Sequence, residues 1–243
     1  MRFLLVILIL FSSQAVNASW FSKAQELFNS PNILNQIKTN SGTLSNSEMG
    51  SGIKEALSKG ISHVVNKLGV QDGFNNDANV HIPLPKILAR VDSALSMIGM
   101  SELTDELELK FNRAAEIATS QAKNLFVNAI SQMSIADAQS ILTGSNDAAT
   151  QYLRKTMGIE LENSMQPVVA SAMTNTGAAQ AYDSVMSKYQ NIPFMPDIKA
   201  NMNDYVVSKA IDGIFYYVAQ EEAAIRTNPT ARTSELLQKV FNI

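Results

Sequence analysis

Cysteine is absent from all 243 residues. Its absence excludes a disulfide framework, a thiolate metal site, a cysteine nucleophile and a lipid attached to an N-terminal cysteine, so packing alone must hold the fold. Histidine occurs only twice and tryptophan once, which leaves little for proton shuttling near neutral pH or for imidazole metal sites. No block of Lys and Arg occurs anywhere. Nucleic-acid binding depends on such clusters to neutralise phosphates, so that class of partner is set aside. Strand-like alternation of apolar and polar residues is almost missing, and with it the all-β and α/β classes.

The longest uninterrupted apolar run lies at the start of the chain. Arg2 precedes Phe3 to Phe11, and Val16-Asn17-Ala18 supplies a small-residue cleavage site. A transmembrane anchor is the alternative, but the run falls well short of the roughly 20 residues a spanning helix needs. It reads as a signal peptide cut after Ala18, which puts the mature chain in the periplasm with no transmembrane span. Cleavage removes Arg2 and no acid, so 18 basic side chains face 22 acidic ones, a net charge of −4. The expected organisation is a signal peptide over 1–18, an N-terminal helical segment and linker over 19–43, and a helical domain over 44–243.

What the chain has is helical periodicity. Trp20 to Lys38 reads as two short helical pieces interrupted by Pro31, and the Ser-, Asn- and Thr-rich stretch 39–47 as a flexible linker. Ser45 to Glu48 fits a capping box, and Met49, Ile53, Leu57, Ile61, Val64, Val65 and Leu68 follow at spacings of three and four, with Gly69 expected as a left-handed stop. Asp72-Gly73 and Asn75 to Asp77 make a turn-rich loop, and Pro83 and Pro85 force 81–85 to be extended. Pro85 then opens a helix running to Ile98.

Ser101 is expected to cap the longest periodic stretch, whose middle is lined by Ala114, Ala118 and Ala122. Helices follow over 135–142, over 145–176 with breaks or bends at Gly158 and Pro167, and over 178–189. A second extended segment, 192–196, suggests a minor two-stranded patch with 81–85. The stretch of about 205–226 is apolar almost all round and belongs in the middle of a bundle, with an amphipathic helix over 234–241 closing the chain. The fold class is all-α, a single-domain multi-helix bundle.

Chemistry fails most of its tests. His63 sits on the polar face of its helix, and His81 has no acidic neighbour in sequence. No metal pair and no cofactor fingerprint appear. Ser51 to Lys54 and Ser120 to Lys123 match a Ser-x-x-Lys pattern, but its companion motifs are missing. Asn75, Asp77 and Asn79 alternate like the start of a calcium loop, yet Val80 and Lys86 stand where Gly and Glu are required. Two polar features stand out from the apolar C-terminal helix. Asp204, Ser208 and Asp212 form an i, i+4 stripe, read as the solvent-facing rim of the bundle or a functional pair of carboxylates. Glu222 is spaced to pair with Arg226, with Arg232 close behind, read as a clamp on the last helix.

Several segments together resemble the bacterial family called domain of unknown function 4197, over residues 44 to 242. They are Ile53 to Leu57, Ile82 to Pro85, Asp105 to Glu108, Asn112 to Glu116, Ile141 to Gly144, Asp212 to Tyr217 and Ile225 to Arg232. The resemblance implies an envelope protein of mostly Gram-negative bacteria. Some relatives are lipoproteins, whereas this chain lacks the lipid-bearing cysteine. It brings no established activity, but it marks Asn112, Arg113, Glu116, Asp212, Glu222, Arg226 and Arg232 as motif positions. With Asp204 these are the binding candidates. The leading expectation is a non-enzymatic envelope module that binds a protein or envelope component. Alternatives are a small-molecule or lipid binder with an inter-helix pocket and, further behind, a hydrolase using Asp or Glu from the stripe.

Overall fold

Helix formation begins where the side chains satisfy the orphan amides of a first turn. The computed structural model describes residues 45–194, 201–232 and 234–241; the signal peptide, the 19–43 segment and residues 195–196 of the proposed strand pair lie outside them. Helix α1, Asn46–Leu68, starts in a reciprocal capping box between Ser45 and Glu48 and buries Ile53, Leu57, Ile61, Val64, Val65 and Leu68 on one face. It stops at Gly69, but not in the left-handed conformation expected, since φ there is −83°. Glycine is required for space: a Cβ at Gly69 would stand 2.7 Å from the Val65 carbonyl oxygen and 3.0 Å from the Ser120 Cβ.

After an irregular segment and a short 3-10 turn, Lys86–Leu88, α2 spans Ala89–Met97. A Gly99 with φ +74° turns the chain into α3, Ser101–Gln132. Ser101 is the first helical residue rather than the cap, and Met100 at the cap position offers no side-chain bond. The alanine stripe behaves as the spacing implies: Ala114, Ala115, Ala118 and Ala122 are buried, so α3 admits neighbours at close range and packs against α1, against α5 (Ala148–Asn175), against α6 (Ala178–Gln190) and against α7 (Met202–Thr227). Helix α4, Ile135–Leu142, opens with a second capping box, Ser134 with Asp137. Pro167 does not break α5, which runs unbroken from Ala148 to Asn175; Pro167 faces solvent, where water can serve the carbonyl it leaves unpaired.

The seventh helix occupies the middle, packing against α1, α3 and α5. Val206, Val207, Ala210, Ile214, Phe215 and Val218 are buried, and Phe215 meets Phe126 of α3 edge to face with centroids 5.7 Å apart. It is less apolar all round than the composition suggests, because Ser208, Lys209, Asp212, Tyr216 and Gln220 form an exposed strip. Helix α8, Glu235–Phe241, closes the chain with Leu237 against Ala56 and Ile225. There is no strand among the described residues, so no two-stranded patch forms there; residues 81–85 are extended but paired by side chains instead. The protein is an all-α multi-helix bundle. No described helix is long and apolar enough to cross a membrane.

Helix ends are closed from outside their own helices. Lys54 of α1 donates to the Ser131 carbonyl near the end of α3, and Lys110 of α3 to the Thr176 carbonyl at the end of α5. Cations at C-termini both satisfy orphan carbonyls and complement the helix dipole.

Candidate functional site

Two clusters draw the sequence candidates together, and each begins with a backbone segment that cannot satisfy its own polar groups. From Gly69 to Pro85 the chain has no α-helix or strand, longer than the roughly 12–15 residues beyond which such loops are uncommon and usually functional. Phe74 and Ile82 anchor it at zero exposure, with Val80 at 7%. Gly213 on α7 makes the seat: a Cβ there would stand 2.7 Å from the Phe74 ring. Asp72 itself takes the left-handed conformation of the turn, with φ +67°, in place of the neighbouring Gly73.

Side chains from one face of α3 supply what the loop backbone lacks. Glu108, Asn112 and Glu116 repeat at i, i+4, i+8, which stacks them along one side of the helix. Glu116, 3% exposed, accepts the N–H groups of Phe74 and Asn75 at 3.1 and 3.2 Å. Asn112, fully buried, mimics a neighbouring strand: its Oδ1 accepts the Ile82 N–H at 2.8 Å and its Nδ2 donates to the Ile82 carbonyl at 2.9 Å. Glu108 accepts the Leu84 N–H at 2.8 Å, and its other oxygen meets His81 Nε2 at 2.8 Å. Arg113 joins the loop to the helix, donating to Asp72 at 2.7 Å and to Glu116 at 2.8 Å.

From α7, Tyr205 donates to the Pro83 carbonyl at 2.8 Å and Tyr217 donates to Asp77. Lys67 of α1 completes that corner, 3.4 Å from Asp77 and 4.4 Å above the Tyr217 ring. The charges respond. Arg113 and Asn75 hold the Asp72 carboxyl below its ordinary range, and Glu116, helped by Asp72, raises the Arg113 guanidinium against a smaller opposing pull from burial. Burial pushes Asp77 up, but the donors Tyr217, Asn79 and Lys67 outweigh it and the net shift is down. The Tyr217 phenol is raised by burial and by Asp77. Shallow recesses flank the loop, one of about 350 Å³ beside Lys67, Asp72 and Asp77 and one of about 360 Å³ beside Arg113, Glu116 and Ser120.

The second cluster sits where helices end. Glu222 of α7, 8% exposed, caps α5 from a distance: it accepts the Ala149 N–H at 2.9 Å, the Thr150 N–H at 2.9 Å and the Thr150 hydroxyl at 2.8 Å. Asp147, the residue at the cap position, makes no such bond. Arg226 pairs with Glu222 at 2.9 Å and reaches on to the Ile141 and Leu142 carbonyls that end α4, at 2.6 and 3.2 Å. Arg232 folds back onto the Ile225 and Arg226 carbonyls that end α7, at 3.0 and 2.8 Å. The spacing of Glu222 and Arg226 suggests an ordinary helical ion pair; burial and three helix ends make it a junction. Beside it is a cavity of about 20 Å³, the size of one water.

The remaining candidates stand apart from both clusters. Asp212 pairs with Arg154 at 2.9 Å with about half of each side chain in solvent, so the pair is screened. The Asp204 carboxylate accepts from the cap residue Asn201 and from Gln166 on α5, and is exposed. The stripe therefore lies at the rim of the bundle and brings no two carboxylates together with a nucleophile.

Sequence reasoning missed Glu108, His81, Asp72, Tyr205 and Tyr217. The 108, 112, 116 spacing was the available signal for Glu108; the partners of His81 and Tyr217 come from elements 27 and 140 residues away and leave no local trace. Among the described residues, no three His, Asp or Glu side chains gather as a metal site would require.

The arrangement can therefore do one thing well. Among the described residues, buried and half-buried polar side chains tie a long loop and several helix ends to the bundle, each engaged with a partner. No curated protein and no solved structure matches the chain. The family model described as "Protein of unknown function (DUF4197)" matches residues 43–242, and the chain belongs to that family.

Proposed function

We propose that this protein is an exported, non-enzymatic binding module of the bacterial envelope, and that its contact surface is the loop Gly69–Pro85. The observation that carries the reading is the commitment of Glu108, Asn112, Arg113 and Glu116 to a single irregular segment. Loops positioned by a rigid scaffold are where recognition is usually built, and ordering a loop in advance removes an entropic cost from binding. What the pinned loop offers to solvent is Val70, Gln71, Asn76, Ala78, Asn79 and Pro83, a mixture of amides and small apolar groups that suits a protein partner. Export is supported by the n-region, the apolar run and the Val16-Asn17-Ala18 site.

Photo-crosslinking residues placed at Gln71, Asn76 and Asn79 in living cells test the reading, with Glu162 on the exposed side of α5 as control. A discrete adduct from the loop positions and none from Glu162 supports it. Equal labelling from all four positions, or recovery of the chain from the cytoplasm with residues 1–18 attached, overturns it.

A second reading, a small-molecule binder, has one observation in its favour. Between α3 and α5 runs a crevice of about 220 Å³ with Met157 and Leu161 on its floor and Asn128, Gln132 and Glu160 at its edge. Native mass spectrometry of the periplasmic protein decides between them: a retained small molecule favours the crevice.

A further inference from the structure

His81 places both of its ring nitrogens against oxygen. Nδ1 lies 2.9 Å from the Asn75 carbonyl oxygen and Nε2 lies 2.8 Å from Glu108 Oε1. A carbonyl oxygen and an ionised carboxylate only accept hydrogen bonds, and a neutral imidazole carries a single N–H. Whichever nitrogen bears that hydrogen, the other turns a lone pair towards an oxygen. The arrangement closes only when one more proton is present, on the ring or on the Glu108 carboxyl, and the two residues hold it as a pair.

We propose that His81 is a proton-operated clamp on the loop segment Asn75–Leu84, closed when the His81–Glu108 pair carries this proton and loosened when it leaves. The clamp is a chain of contacts: Asn75 carbonyl to the ring, ring to Glu108, and Glu108 Oε2 to the Leu84 N–H. Losing the proton sets two acceptors against each other in its middle and strains both ends. The neighbouring groups do not substitute for it. From α3, Glu108 is the charged group in contact, Asn112 is neutral, and Arg113 and Glu116 pair with each other and with Asp72. From α7, Tyr205 donates to Pro83 and Tyr217 to Asp77, and from α1, Lys67 also pairs with Asp77. Side-chain exposures of 31% and 32% for His81 and Glu108 let the proton exchange with solvent without unfolding the bundle. The loop is therefore tighter while the pair holds the proton and looser once rising pH removes it. Only the effect on a bound partner rests on the loop being the contact surface; the clamp itself is a property of the free chain.

Hydrogen exchange on the mature protein without any partner tests it. After correction for intrinsic rates, protection of the Leu84 amide falls about fivefold as pH is raised across the step in which nitrogen NMR shows the His81–Glu108 pair losing its proton, the worth of one net hydrogen bond. The Phe74 and Asn75 amides, held by Glu116, stay level as an internal reference. Glu108→Gln removes the pH dependence, because its amide can accept from Leu84 and donate to a neutral ring. Unchanged Leu84 protection across that step in the natural protein, or an undiminished pH dependence in Glu108→Gln, overturns the proposal. Nitrogen NMR of the natural protein is independent of any variant: two protonated or proton-sharing ring nitrogens at His81 are expected near pH 5.5, and one bare, unshared nitrogen there overturns it.

Discussion

Glu222 and Thr150 lie 72 residues apart in sequence, yet one carboxylate oxygen of Glu222 takes both the backbone N–H and the hydroxyl of Thr150. Together with Ala149 they turn a side chain of α7 into the cap of α5. Removing the carboxylate leaves two buried amides and the Arg226 guanidinium without their acceptor. Glu222→Ala should therefore lose about 3–5 kcal/mol of unfolding free energy, and Thr150→Val, which deletes only the hydroxyl, about 1.5 kcal/mol. Because the two groups share a bond, the double variant should lose less than the sum. Urea titrations of the four proteins measure this, and strict additivity would show that the cap is not a unit.

Asn112 can be probed through the backbone it imitates. With Asn112→Ala, the Ile82 N–H and carbonyl both lose their partner in a fully buried setting, and the cost should be about 2–4 kcal/mol. Asn112→Asp keeps an acceptor but deletes the donor and brings a charge into the core, so it should be no better than Ala. A loss under about 1 kcal/mol for Ala would mean that water or a shifted loop replaces the amide readily.

How much of this was legible in the sequence follows from the range of each interaction. The helices of α1, α3, α4 and α7 are visible because capping residues and apolar spacing act within a few positions, as Ser45 with Glu48 and Ser134 with Asp137 show. Gly69 was visible as a stop, but its cause, the approach of Ser120, belongs to another helix. Asn112 and Glu116 stand out only through family resemblance, and Glu222 otherwise only as the i, i+4 partner of Arg226, since a buried polar side chain on a helix announces nothing about which distant backbone it will serve. His81 has no acidic residue beside it in sequence; its carboxylate partner arrives from α3.

Two glycines inside helices should respond oppositely to alanine. At Gly213 a Cβ meets the Phe74 ring at 2.7 Å and the Val80 Cβ at 3.2 Å, and Phe74 has no exposed side to swing towards. Gly213→Ala should cost about 1–3 kcal/mol despite the better helix propensity, and should raise exchange across the loop as well. At Gly158 nothing lies within 4 Å of the added atom. Gly158→Ala should stabilise by about 1 kcal/mol, read as a higher urea midpoint at an unchanged slope.

The Asp72 and Asp77 carboxyls carry the acid sensitivity of the same loop. Both titrate below their ordinary value of 3.8 in the folded chain, Asp72 through Arg113 and Asn75, Asp77 because the donors Tyr217, Asn79 and Lys67 overcome burial. As pH falls the unfolded chain binds these protons first. Their contribution is therefore complete above the unfolded value near 4 and is lost as pH drops through the folded values below it. Tyr217 and Lys67 mirror this at the other end: burial and Asp77 raise the phenol, and burial pulls the amine down but Asp77 and Tyr217 together outweigh it and raise it. Groups raised in the folded state support it below their unfolded values and stop doing so as pH climbs through the folded ones. Asp77→Asn should thus flatten both the acid limb, below about pH 4, and the alkaline limb, above about pH 10, of a stability profile. Asp72→Asn should flatten the acid limb alone, since its main partner Arg113 stays charged throughout. Urea midpoints taken across pH for the two variants separate the corners of the loop, and an alkaline change in Asp72→Asn as large as that in Asp77→Asn would break the assignment of Lys67 and Tyr217 to Asp77.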